Sequence, residues 1–205
     1  MLFLDFKAHF EQFRVFSIVD IKKWDSKFDF RRLIEWQQKG YIAKVINRWY
    51  VFSKPLSQED LLITSNRIYA PSYVSLQWAL SYYHLIPEGV FSITAVTSLK
   101  THHFKTPIGA FSYKHVKPSL LFGYRLMEFE GMAYRLAEPE KAILDYLYLN
   151  PSVRTQQDID SLRLNRNEFE NLIDTARLNS YLGIFNSKSL TKRVKLTTEK
   201  LIQHV

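Results

Sequence analysis

Cysteine is absent from this chain of 205 residues, which excludes a disulfide framework, a thiolate metal site and a thiol nucleophile. Glycine is scarce, with 6 residues in all, and the sequence holds neither a glycine-rich phosphate loop nor a nucleophile elbow. No apolar run approaches the ~18 residues of a membrane-crossing helix. The opening MLFLDFKAHF carries Asp5 and Lys7, which interrupt the apolar core a secretory signal needs. Internal repeats and low-complexity tracts are missing too, against solenoids and linker arrays. These absences predict a cytoplasmic protein with no membrane partner.

Aromatic residues, by contrast, are plentiful. With 15 Phe, 12 Tyr and 4 Trp in a chain that is 46% apolar, packed cores are expected and disorder is not. The length suits two domains of ordinary size. Lys and Arg number 28 against 20 Asp and Glu, a net charge of +8, which favours a polyanionic partner. Residues 1–55 contribute 11 of the cations and 6 of the acids, so the excess concentrates near the N-terminus.

Within that stretch, Phe3, Phe6, Phe10 and Phe13 recur at three- and four-residue steps, one buried stripe of a helix. Ser17 is placed to cap a short second helix ending in Lys22 and Lys23. Ser26 and Asp29 match a capping box, predicting that a third helix starts there. On that helix Phe30, Leu33, Ile34 and Gln37, flanked by Trp36, fall on one side, and Lys27, Arg31, Arg32, Glu35, Gln38 and Lys39 on the other. Gly40 occupies the left-handed C-cap position, and YIAKVINRWYVF has the β-branched and aromatic content of two strands. Asn47-Arg48 lacks the glycine of a tight type I′ turn, so a longer loop is expected at the tip. Three helices and a hairpin describe a winged helix-turn-helix. In that arrangement Lys22, Lys23, Lys27, Arg31 and Arg32 approach duplex DNA through the helices, and Lys44 and Arg48 through the wing. A solvated charged face or a protein-docking module is the competing reading.

Pro55 and the Ser57–Asp60 pair mark a helix start and place a domain boundary near residue 56. Leu76, Ala79, Leu80 and Tyr83 have helical spacing, with Pro87 as the stop. VFSITAVTS, HHFKT, AFSYKHV, YRLMEFE and MAYRLAE are short strand-like runs, broken at Pro107-Ile108-Gly109 and at Gly131. They predict a small, mainly antiparallel sheet. In EPEKAILDYLYL, Pro139 suits the first helical position, with Glu138 and Glu140 at its positive end. Helices are expected from there to the C-terminus. The last sets Leu190, Val194 and Leu201 on one side and Lys188, Lys192 and Lys195 on the other, a second basic surface suited to RNA, DNA, an acidic protein or plain solvent. The predicted class is α+β, with a winged helix over 1–55 and a mixed domain over 56–205.

Three ordered stretches carry a family resemblance: YVSLQWALSYYHLIPE, FSITAVTSLKTHHFKTPIGAFSYKHV and EPEKAILDYLYL. Tyr73, Ser75, Leu76, Ala79, Leu80, Ser81 and Tyr82 match in the first. Thr106, Pro107, Gly109, Phe111 and Tyr113 match in the second, and Pro139, Glu140, Lys141, Ala142, Leu144 and Asp145 in the third. Over nearly its whole length the chain resembles the AbiEi antitoxins of bacterial abortive-infection systems. The resemblance implies a winged helix that binds operator DNA of its own operon and a second, antitoxin domain. It also implies a functional link to a nucleotidyltransferase-like toxin that requires no stable complex.

Catalysis is not expected. Adjacent His102 and His103 point to opposite faces of a strand, and Asp158 and Asp160 diverge by about 200° on a helix, so neither pair suits a shared metal. Glu138, Glu140 and Lys141 are read as charges of a helix N-terminus. No cofactor and no metal are anticipated. The alternative to a DNA-binding antitoxin is a winged-helix interaction module or a nucleic-acid-processing enzyme.

Overall fold

The computed structural model describes residues 2–202. Its first unit runs α1 (Phe3–Phe10), β1 (Phe16–Ser17), α2 (Ile18–Trp24), α3 (Arg31–Gln38), β2 (Ile42–Ile46) and β3 (Trp49–Phe52). The strands form an antiparallel sheet in the order β1-β3-β2. Phe6 and Phe10 are buried from the α1 stripe with ring centroids 4.7 Å apart, and Phe6 lies 4.7 Å from Trp36 of α3. Such contacts add about 0.5–1.5 kcal/mol each to the burial itself. Ser17 caps α2 as anticipated: its Oγ accepts the Asp20 N–H at 3.1 Å, and the Asp20 carboxylate accepts the Ser17 N–H at 2.8 Å. Gly40, at φ +71°, ends α3; its N–H reaches the Gln37 carbonyl and that of Tyr41 the Trp36 carbonyl, which is a Schellman cap.

Three local expectations are corrected here. Helix α3 starts at Arg31, because Asp25 takes the Lys27 N–H at 2.9 Å and closes a turn around Ser26. Asp29 then accepts the Arg31 N–H at 3.0 Å, leaving no Ser26–Asp29 capping box among the described residues. Second, Leu33 and Trp36 alone are buried from α3, and Ile34 is 58% exposed; Trp36 is wide enough to fill the space a second aliphatic row would take. Third, the hairpin is tight, since Arg48 itself adopts φ 70° and a bulge between Lys44 and Ile46 absorbs the twist.

The larger unit is a six-stranded mixed sheet in the order β6-β7-β5-β4-β9-β8, made of β4 (Ser72–Val74), β5 (Ile93–Thr97), β6 (His102–Thr106), β7 (Gly109–His115), β8 (Tyr124–Phe129) and β9 (Met132–Ala137). Five of these match the strand-like runs. Strand β4 was hidden in what reads as helix, because three residues buried on both faces show no alternation. It pairs in parallel with β9, and β5 pairs in parallel with β7; the other three pairings, β4 with β5, β6 with β7 and β8 with β9, are antiparallel, so the sheet is mixed with antiparallel pairs in the majority.

Helix α4 (Gln58–Ile68) begins at the Ser57–Asp60 capping box and covers one sheet face, where the Tyr113 hydroxyl donates to the Ser65 carbonyl at 2.7 Å. Helix α5 (Leu76–Tyr82) stops well before Pro87. Helix α6 (Pro139–Leu149) has Pro139 at its first position and lies on the opposite face, where the Tyr73 hydroxyl reaches Asp145. Helices α7 (Gln156–Ser161), α8 (Arg166–Leu172), α9 (Thr175–Phe185) and α10 (Lys188–Ile202) complete the described chain, with Leu190, Val194 and Leu201 of α10 buried. No described helix is long and apolar enough to cross a membrane.

The two units meet across a polar and apolar seam. Val15, Val45 and Val51 belong to the larger hydrophobic core, while Phe6, Phe16, Trp36 and Phe52 belong to the smaller one. Arg67 of α4 pairs with Asp20 at 3.3 Å and lies over the Phe13 and Trp49 rings. Arg14 pairs with Asp60 at 3.3 Å and with Glu130. One face of the small sheet is therefore covered by the larger unit, and the outer side of α3 is left to solvent.

Candidate nucleic-acid interface

Six of the seven cations predicted for the first unit, Lys22, Lys23, Lys27, Arg31, Lys44 and Arg48, are exposed, and Arg32 is half-buried. The fold gathers five of them. Lys22 and Lys23 close α2, Lys27 lies in the turn that follows, and Arg31 and Arg32 open α3. The Lys22 ammonium stands 5.7 Å from the Phe30 ring, joining the end of α2 to the start of α3. Arg48 lies apart, at the hairpin tip, where its carbonyl accepts the Ile18 N–H at 3.0 Å and ties the tip to the other end of α2. Lys44 is opposite Tyr50 on the hairpin.

The outer side of α3 is mixed in charge. Arg31 holds Asp29 through two guanidinium nitrogens at 2.9 to 3.1 Å, and that hydrogen bonding keeps the Asp29 carboxyl below its usual range. Lys39 donates to Glu35 at 2.6 Å and depresses that carboxyl in the same way. Both acids are charged at neutral pH, so the face has an alternating pattern and not a continuous positive stripe. A shallow depression of about 410 Å³ runs along it, lined by Asp29, Arg31, Arg32, Ile34, Glu35 and Gln38. Ile34 is the residue the periodicity misassigned; its exposure puts an aliphatic group among hydrogen-bonding side chains.

On α10, Lys188, Lys192 and Lys195 are all exposed, as the helical spacing indicates, and Lys195 pairs with Glu199 at 3.6 Å. Asp158 caps α7, and Asp160 pairs with Lys200 at 3.0 Å. Among the described residues no group of three or more metal-ligating side chains occurs.

The sequence reading missed a charged network beneath the sheet. Tyr73, Ser75, Lys141 and Asp145 are all fully buried. The Lys141 ammonium donates to Asp145 Oδ1 and to the Tyr73 hydroxyl at 2.6 Å, while Asp145 Oδ2 accepts from Tyr73 and Ser75, each at 2.8 Å. The rings of Tyr73, Phe122 and Phe185 surround the ammonium at 5.2, 4.9 and 4.8 Å. Burial pushes the Asp145 carboxyl up and the Lys141 amine down, against the pull of their mutual attraction. The signal was present in PEKAILDYL: a Lys and an Asp four residues apart, on one side of a helix whose neighbours are apolar. With no solvent access, the cluster binds α6 to β4 and to the segment around Phe122.

Compared with known proteins, the chain matches no family model and no curated protein.

Proposed function

We propose that this chain is a DNA-binding transcriptional autorepressor and antitoxin, with residues 1–55 acting as a winged helix-turn-helix. The observation that carries the reading is the convergence of Lys22, Lys23, Lys27, Arg31 and Arg32 where α2 meets a solvent-facing α3. The order α1-β1-α2-α3-β2-β3 supports it, because a third helix followed by a hairpin presents one helix to a groove and the hairpin to the adjacent backbone.

In this reading the lysines of α2 and its following turn hold phosphates and set the register. Arg31 and Arg32 reach guanine edges or phosphate, Gln38 suits adenine, Glu35 a cytosine amine, and Ile34 a thymine methyl. Arg31 exchanges Asp29 for DNA on binding, which favours sites that offer a better acceptor than that carboxylate and so adds to discrimination. Lys44 and Arg48 contact the backbone or minor groove beside the site. The antitoxin role, opposing a nucleotidyltransferase-like toxin without a stable complex, rests on the AbiEi resemblance of the larger unit.

The double reversal Arg31→Glu with Arg32→Glu tests the interface. Both side chains lie outside the aromatic core, so the variant stays folded by circular dichroism while duplex binding is abolished. A folded variant that still binds duplex as wild type does would remove these arginines from the interface.

A further inference from the structure

Two arginines line one cleft that, among the described residues, holds no acid. Arg193 of α10 is 9% exposed, and its Nε is sealed from solvent with no hydrogen-bond partner among the described residues. It lines a cleft of about 360 Å³ between the turn after α6 and the first turns of α10, together with Arg154, Lys192, Ser189 and Pro151. The Pro151 carbonyl accepts from Arg154 Nε at 2.8 Å and holds that side chain at the wall.

The surrounding carboxylates are engaged elsewhere. Asp158 accepts the Arg154 and Thr155 N–H groups at 2.8 and 2.7 Å, Asp160 pairs with Lys200, and Glu199 with Lys195. None of them lines the cleft. The first turn of α10 carries no acid either, so the positive end of that helix adds to the field instead of being compensated. Burial, and then the nearby positive charge of Arg154, lower the Arg193 pKa from its ordinary value. Since its Nε has no accessible surface, Arg193 can meet a ligand only through its terminal Nη groups.

We infer that this cleft is a binding site for a phosphate group. Arg154 and Arg193 supply planar donor forks suited to phosphate oxygens, Lys192 adds a compact charge, and the Ser189 hydroxyl adds a neutral donor. The volume lies at the lower end of small-ligand sites, which span about 300–1,000 Å³, and admits a phosphate with part of the group that carries it. The carrier is a small phosphorylated molecule or a nucleic-acid strand; the recognised chemistry is the same. Neither Arg31 nor Arg32 lines this cleft, so the site stands independently of the proposed DNA interface.

Inorganic phosphate is titrated into the full chain by calorimetry and thermal melting, against chloride at equal ionic strength. The expected result is saturable binding and stabilisation by phosphate. In Arg154→Ala with Lys192→Ala, two changes that spare the buried Arg193, the affinity falls about tenfold or more. The Arg31→Glu, Arg32→Glu variant keeps its phosphate response whether or not it binds duplex. A mononucleotide and a single-stranded oligonucleotide, each compared in the same variants, identify the carrier by which of them loses affinity with Arg154 and Lys192. Absence of any phosphate-specific effect, or an effect undiminished in the Arg154→Ala, Lys192→Ala protein, would overturn the assignment.

Discussion

Replacing Lys141 by methionine keeps most of the side-chain volume and removes the charge. Asp145 then retains the hydroxyls of Tyr73 and Ser75 at 2.8 Å but has lost the Lys141 ammonium, in a site with no solvent access. Breaking a buried pair on one side costs about 3–5 kcal/mol, which for a chain of this size lowers the melting temperature by about 6–20 °C. The penalty depends on pH with a definite sign. Burial already raises the Asp145 carboxyl above its ordinary range, and without Lys141 the neutral form gains further. The folded variant therefore binds a proton that the unfolded chain does not, and its stability recovers as pH falls through the raised value toward the ordinary carboxylate range. The double change Lys141→Met with Asp145→Asn removes both charges while an amide oxygen still accepts from the Tyr73 and Ser75 hydroxyls, and it recovers at least about 1 kcal/mol of the loss. Urea unfolding followed by circular dichroism, at neutral and mildly acidic pH, measures all three proteins. A single variant as stable as wild type, or a double variant as damaged as the single one, would refute the claim that an unpaired buried charge is the cause.

Gly123 sits at φ +69°, and a Cβ there would lie 2.9 Å from Tyr181 Cε2 and 3.1 Å from the Lys141 stem. Gly123→Ala combines overpacking with left-handed strain and is expected to cost about 2 kcal/mol or more, read as a shifted urea midpoint with unchanged slope. Burial raises Tyr50, Tyr73, Tyr83, Tyr113, Tyr134, Tyr146 and Tyr181, the last to about 12 with help from the Glu138 carboxylate. The folded chain keeps tyrosine protons that the unfolded chain releases above about 10, so stability falls as pH rises past that value. Ultraviolet titration of the phenolates should show a cooperative step coincident with unfolding; smooth ionisation in a folded protein would contradict it.

Much of the architecture was legible because it depends on local rules. The five strand-like runs from 93 to 137, the Pro139 helix start, the Ser17 and Ser57 caps and the Gly40 stop each follow from turn chemistry or period within a few residues. What was not legible depended on partners distant in sequence. Parallel pairing of Val74 with Leu136 brings together residues 62 positions apart, and three-residue β4 has no period of its own. Arg48 takes a glycine's conformation because its carbonyl is held by Ile18, which no tip-residue preference encodes. Lys141 reads as a charge of a helix N-terminus, and its pairing with Asp145 is visible only once α6 is known to lie against Tyr73; Arg193, outside the Lys188, Lys192 and Lys195 face, draws no notice until the 150–155 turn is seen beside it. Lys22, Lys23, Lys27, Arg31 and Arg32 were found together because α2 and α3 are adjacent in sequence as well as in space.

The proposal that the α2–α3 surface reads DNA is tested most directly by fluorescence anisotropy of the full chain. Duplex from upstream of its own gene is compared with scrambled duplex of equal length. With the seven cations proposed to face DNA, Lys22, Lys23, Lys27, Arg31, Arg32, Lys44 and Arg48, each taken as one phosphate contact, the affinity falls by up to roughly three to four decades between about 50 and 200 mM salt. The account predicts tighter binding to the upstream duplex at both concentrations, with the preference persisting as total affinity declines. Equal, weak binding to both duplexes that vanishes with salt would contradict it and leave only a basic surface.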